Sequence, residues 1–173
     1  MARPMRAPLI VTAELGAADL AWFDGLRRRH FPPERNQLSA HLTMLHAVPA
    51  MLEAELKHRL AILAADRPRP RSAIAGLLDL GGGTAYRVVS DDLDAIRAEL
   101  TEAFRGSLTA QDTHGWRPHV TIQNKVAPRI ARALQDHLER DFVPRPLAIT
   151  GLACHRYEGG PWRAAGVYPF RGR

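Results

Sequence analysis

The sequence predicts an α+β fold: one duplicated, bilobal domain in which two antiparallel sheets line a central cleft, with helices outside and a pseudo-twofold axis between the lobes. Three observations predict it. Short segments rich in β-branched or alternating residues are interleaved with longer amphipathic ones, and glycine-rich turns set two hairpins. One motif, His-x-Thr inside an apolar run, occurs at His41-Leu42-Thr43-Met44 and again at His119-Val120-Thr121-Ile122. The segments around it recur in the same order in both halves. Ile10-Val11-Thr12 resembles Val88-Val89-Ser90, and Val48-Pro49 resembles Val126-Ala127-Pro128. Further on, Ala73-Ile74-Ala75-Gly76-Leu77 resembles Ala148-Ile149-Thr150-Gly151-Leu152, and Gly81-Gly82 before Tyr86-Arg87 resembles Gly159-Gly160 before Trp162-Arg163. So long a period implies two related lobes rather than a solenoid. The domain is taken as residues 1–173, with repeat halves of roughly 9–87 and 88–170.

Leu9 to Leu15, rich in β-branched residues, reads as the first strand. Ala17 to His30 carries Leu20, Phe23 and Leu26 at near-helical spacing, and the two prolines after it end the helix in a loop over residues 31–37. Ser39 to Val48 is the first motif strand. Ala50 to Ala65 is an amphipathic helix with Leu52, Leu56, Leu60 and Leu63 on one side. Ser72–Leu80 and Thr84–Ser90 form a hairpin around Gly81-Gly82-Gly83. A helix over Asp91–Leu108 follows, with Ser90 as its N-cap and Asp91-Asp92 matched to the positive end of its dipole. Thr109–Arg117 reads as a polar loop and Pro118–Lys125 as the second motif strand. Pro128–Phe142 is a helix with proline in its first turn, and Leu147–Tyr157 with Trp162–Phe170 makes the closing hairpin.

Composition narrows the function classes. The 173 residues are 46% hydrophobic, ordinary for a globular protein. No apolar run approaches the roughly 20 residues of a membrane span. The basic segment Met1–Pro8 lacks the apolar stretch of a secretory signal, and the one cysteine, Cys154, cannot form an internal disulfide. These features favour a cytoplasmic protein, and a monomer is expected. A net charge of +6 and a pI near 10.4 favour an anionic partner such as RNA or a nucleotide. The one basic cluster, Arg27-Arg28-Arg29, ends a helical pattern and is not a nucleic-acid tail.

The chemistry rests on the motif. Alternation along a strand puts His and Thr two positions apart on one face, roughly 7 Å from each other, while Leu42, Met44, Val120 and Ile122 face a core. If both motif strands line one cleft, His41 and His119 can face each other across a phosphodiester. One then removes a proton from the attacking oxygen while the other protonates the leaving oxygen. Thr43 and Thr121 can donate to the non-bridging oxygens, where charge builds up. No metal or other cofactor is required. A zinc site from His41, His46, His114 and His119 is the rival reading. It is disfavoured because the chain has neither His-Glu-x-x-His nor a cysteine pair, and because it leaves the threonines unexplained. Gly81-Gly82-Gly83 matches no phosphate-loop pattern and reads as a turn.

With motif, spacing, duplication and length taken together, the chain resembles the 2H phosphoesterase superfamily over roughly Leu9–Phe170. Within it, the chain is similar to the 2′-5′ RNA ligase and 2′,3′-cyclic phosphodiesterase group. The resemblance implies that His41 and His119 are the catalytic pair and that Thr43 and Thr121 bind the phosphate. It implies substrates such as 2′,3′-cyclic phosphates on RNA ends or nucleotides, or 2′-5′-linked oligonucleotides. A ligase using the same residues in reverse, and a non-catalytic RNA- or nucleotide-binding module, are the alternatives. Some relatives carry an arginine five residues after the second motif histidine. Here Asn124 stands there, with Lys125 beside it as the expected substitute cation, and His46 occupies the matching place after the first motif.

Overall fold

The computed structural model describes residues 6–173, so the first five residues of the basic segment Met1–Pro8 lie outside the described part. Among the described residues, eight strands form two four-stranded antiparallel sheets. The first sheet contains β1 (Leu9–Leu15), β2 (Leu42–Val48), β7 (Ile149–Arg156) and β8 (Arg163–Pro169), in the order β2-β1-β7-β8. The second contains β3 (Ser72–Asp79), β4 (Thr84–Val89), β5 (His119–Gln123) and β6 (Arg145–Leu147), in the order β5-β4-β3-β6. Each motif strand, β2 or β5, is thus the outermost strand of its sheet. The first sheet joins the two ends of the chain, and the second is made from its middle.

The duplication appears in the strand register. Thr12 pairs with Thr43 and Val11 with Leu45, so β2 carries an extra residue at Met44. Ala85 pairs with Thr121 and Thr84 with Gln123, so β5 carries an extra residue at Ile122. The two bulges fall at equivalent places, directly after each motif threonine. The register makes Val11 and Thr12 equivalent to Thr84 and Ala85. The sequence likeness of Ile10-Val11 to Val88-Val89 therefore finds the right strand but lies five residues out of register. Two neighbouring Val- or Ile-rich strands look alike at several registers, whereas hydrogen bonding permits one.

Among the described residues, five α-helices complete the fold: α1 (Ala17–His30), α2 (Glu53–Asp66), α3 (Asp91–Ala103), α4 (Ala110–Thr113) and α5 (Pro128–Glu139). Leu56, Leu60 and Ala64 seat α2 on β7 and β8, and Ala131 and Leu134 seat α5 on β3 and β4. The α1 helix crosses over to β5 of the other sheet, where buried Phe23 and half-buried Trp22 meet Tyr86. Ser90 caps α3 as expected, its hydroxyl accepting from the Leu93 amide at 3.1 Å. None of these helices is long and apolar enough to cross a membrane, among the described residues.

The first motif strand begins at Leu42 instead of Ser39, so His41 directly precedes it; α2 begins at Glu53 after a short 3-10 turn at Ala50–Leu52, and α5 ends at Glu139 instead of Phe142. Three further departures have larger consequences. The α3 helix stops at Ala103 instead of Leu108, because Phe104 turns into the core and Gly106 adopts φ +82, a left-handed conformation suited to glycine. The polar loop Thr109–Arg117 contains α4, whose Asp112 is fully buried. Finally, the single strand expected from Leu147 is divided at Ala148, where the chain passes from one sheet to the other. The Ala148 amide donates to Asp19 Oδ2 at 2.8 Å and its carbonyl accepts from the Gly16 amide at 2.8 Å. Those bonds take the residue out of both ladders. A side chain at Gly16 would stand 2.7 Å from the Ala148 methyl, so this close approach requires glycine.

Candidate active site

The outer edges of β2 and β5 approach each other, and the four motif side chains meet in one open cleft of about 400 Å³. His41, Thr43, His119 and Thr121 all line it. Leu42, Met44, Val120 and Ile122 are fully buried, as the alternation requires. The same local geometry holds both histidines. His41 Nδ1 lies 2.8 Å from the Ser39 carbonyl and His119 Nδ1 lies 2.7 Å from the Arg117 carbonyl. A carbonyl only accepts, so each Nδ1 carries the hydrogen. Each Nε2 is left free of that bond, able to take a proton when the ring is neutral or give one when it is charged.

Their surroundings differ. The Trp162 ring lies against His41, with centroids 4.5 Å apart, and also against His155 at 5.6 Å. It separates the cleft from a second cavity of about 340 Å³ that contains Glu14, Gln37 and His155. His155 Nε2 is 2.9 Å from the Thr12 hydroxyl. Enclosure by protein, chiefly desolvation, lowers the His41 pKa to about 4. The Ser39 carbonyl opposes that shift, while Arg27, His155 and His119 add to it. His41 is therefore neutral at physiological pH, with a lone pair on Nε2.

Side chains from elsewhere hold the free edge of each motif strand. On β5, Arg27 Nη1 donates to the Thr121 carbonyl at 2.8 Å and Arg27 Nε donates to Asn36 Oδ1 at 3.1 Å. Arg27 is buried, and burial lowers its pKa against the opposing effect of Asp24. On β2, Trp116 Nε1 donates to the Thr43 carbonyl at 3.1 Å and Arg97 Nε donates to the Met44 carbonyl at 2.9 Å. The Asp112 carboxylate accepts the amides of His46 and Ala47 at 2.8–2.9 Å and faces His46 Nδ1 at 3.0 Å. Burial works to raise the Asp112 pKa, but the bonds from His46 and Ala47 outweigh it and hold the carboxyl below its ordinary value.

The bulge at Met44 explains the place of His46. An extra residue reverses the alternation, so His46 returns to the face that carries His41 and Thr43 and lines the cleft. Arg97, Gln111 and Trp116 line it too. Sequence reasoning noted His46 as the counterpart of Asn124 and passed over Arg97 and Asp112. Arg97 sits inside an ordinary helix and Asp112 in a polar stretch, and neither carries a local signal. Lys125 is not among the lining residues. It is exposed in a left-handed turn (φ 62) just after β5 ends, its amide donating to Asn124 Oδ1 at 2.9 Å. Gly81-Gly82-Gly83 is the β3–β4 turn, with Gly81 at φ +82. Cys154 is buried in β7. No group of three or more His, Cys, Asp or Glu side chains is arranged to hold a metal ion, among the described residues.

Comparison with known proteins agrees with this architecture. Solved structures with the same fold include TT0787 of Thermus thermophilus, with a TM-score of 0.62 at 15% identity over 96% of this chain and 99% of that one. E. coli LigT complexed with NADP+ follows, with a TM-score of 0.59 at 17% identity over 96% and 99% of the two chains. A structure described as a phosphoesterase gives 0.60 at 16% identity over 95% and 98%. At such identities the likeness establishes the fold. No curated protein matches the chain in sequence. The family model of the 2′-5′ RNA ligase superfamily matches residues 16–161, which include both motifs, and the chain belongs to that superfamily.

Proposed function

We propose that the protein is a metal-independent phosphodiesterase that hydrolyses a 2′,3′-cyclic phosphate, or a related 2′-linked phosphodiester, on a nucleotide or an RNA end. The observation that carries this reading is the paired histidines. They stand at the starts of equivalent strands, His41 just before β2 and His119 as the first residue of β5, line one cleft, and are anchored alike through Nδ1 so that both Nε2 atoms are free. His41, neutral at physiological pH, acts as base and takes a proton from the attacking water. The new P–O bond forms as the bond to the ribose oxygen breaks, and His119 supplies the proton which that oxygen needs to leave. Thr43 and Thr121 donate to the non-bridging oxygens, where preorganised donors count most. E. coli LigT has been solved with 3′-AMP and with ATP, which supports a nucleotide-sized substrate here.

The test is turnover of a panel of 2′,3′-cyclic nucleotides, cyclic-phosphate RNAs and 2′-5′ oligonucleotides with a chelator present. Hydrolysis in chelator that disappears in both H41A and H119A supports the reading. Full activity in the double variant overturns it.

A further inference from the structure

Arg97 is a half-buried cation that lines the cleft, and the charges of Asp112 and Asp94 act on it only from beyond ion-pair distance. No carboxylate lies within ion-pair distance of it, among the described residues. Two of its five N–H donors are spent on the Met44 carbonyl at 2.9 Å and the Asp112 carbonyl at 2.8 Å. Its guanidinium also stands 5.2 Å from the centre of the Trp116 ring. These contacts fix the side chain and use only part of its donor set. A charge partly withdrawn from water and without a direct ion pair gains from a ligand that compensates it.

His46 stands on the same flank. The Met44 bulge brings it onto the face of His41 and Thr43, and Asp112 holds its Nδ1 so that Nε2 is free. Its Nε2 is thereby left for the cleft, with the Asp112 carboxylate behind the ring. Same-face positions on a strand are spaced by roughly 7 Å, so this flank lies about one such step beyond Thr43, on the side away from His41. That step is on the scale of the separation between neighbouring phosphates of a nucleic acid. Arg117, which precedes His119, also lines the cleft, but the stretch beyond Thr121 adds no cation to the lining. There Arg27 is buried against the Thr121 carbonyl, Asn124 is uncharged, and Lys125 is not among the lining residues.

The geometry points to a second anion subsite, formed by Arg97 and His46, that takes a phosphate one sugar removed from the scissile one. The inference rests on the phosphodiesterase reading, and it narrows the substrate to nucleotides or RNA ends carrying that additional phosphate.

The test compares two substrates within each protein, adenosine 2′,3′-cyclic phosphate and its 5′-phosphorylated form. One or two charge-assisted hydrogen bonds predict a preference of about 10- to 100-fold in kcat/KM for the 5′-phosphorylated form. R97Q lowers that ratio toward one and R97K leaves it intermediate. H46Q, which keeps every Arg97 contact, lowers it in part and guards against a folding defect in R97Q. Equal efficiency on both substrates in the wild type, or an undiminished preference in both R97Q and H46Q, overturns the subsite while the phosphodiesterase reading stands. Turnover of neither substrate counts against that reading, and calorimetry then decides the subsite alone. Adenosine 2′,5′-bisphosphate binding at least about 10-fold more tightly than adenosine 2′-monophosphate, with the advantage lost in R97Q, supports it. Equal binding, or none, overturns it.

Discussion

The two motif strands are alike where bonds would be made and broken, and unlike one step further out. Both present His and Thr to the cleft, both bulge directly after the threonine, and both tie histidine Nδ1 to the carbonyl two residues back. Beyond the bulge, β2 is flanked by His46, a fully buried Asp112 and an Arg97 with no carboxylate within ion-pair distance, among the described residues. There β5 has only Asn124 and an exposed Lys125, while its own arginine, Arg27, is buried in a structural contact. The difference teaches where pseudosymmetry is useful. An in-line displacement needs matched proton carriers on opposite sides of one phosphorus. A substrate with distinct ends needs the flanks to differ.

The comparison can be broken most forcefully at the histidines. H41A and H119A should each lower kcat by about 10²- to 10⁴-fold, with unchanged circular dichroism. A loss confined to one of them would end the idea of matched partners. Next comes the buried carboxylate. D112A leaves the amides of His46 and Ala47 without an acceptor inside the protein and should cost about 3 kcal/mol in urea denaturation. N124A, at the equivalent stretch after the second motif, should stay within about 0.5 kcal/mol. T43A and T121A should each reduce kcat/KM by roughly 10- to 100-fold, and similar values for the two would extend the symmetry from histidines to hydroxyls.

A smaller effect tests the unequal histidine environments. A base works only when unprotonated, so activity should fall as the pH drops through the His41 value of about 4. W162A opens that ring to water and should move this acidic limb upward, toward the ordinary histidine value of about 6.5. The variant then loses activity at pH 5, where the wild type keeps it. An unmoved limb would mean that Trp162 does not shield His41. The smallest effect is expected at Lys125, where K125A should change kcat/KM less than about twofold because the side chain does not line the cleft.

The fold class and the motif pair were legible in the sequence because they rest on short-range rules. Alternation placed Leu42 and Thr43 on opposite faces, and glycine and proline marked the turns and helix starts. What escaped depends on distant partners. Ala148 looks like the interior of a strand until Asp19 and Gly16 take its amide and carbonyl. Asp112 looks like a loop residue until the β2 amides turn toward it. The bulge at Met44, which decides where His46 faces, leaves no mark on the one-dimensional pattern, since Met44 and Leu45 are both apolar. The expectation of Lys125 as the cation followed linear spacing from the second motif, whereas the arginines that line the cleft are Arg97, which arrives from α3, and Arg117, which precedes the motif.

The chain crossing at Ala148 carries a consequence for how the protein is made. The second sheet uses strands from residues 72–147 and can assemble once that middle stretch exists. The first sheet cannot, because β1 pairs with β7, so that Leu9 lies opposite Arg156. During synthesis β1 and β2 wait with an apolar edge unpaired until β7 has emerged. Closing so long a loop is slow relative to local hairpin formation. The cleft between the motif strands, which needs both sheets, is therefore among the last features to form, and a nascent chain stalled before β7 would hold both motifs without a site.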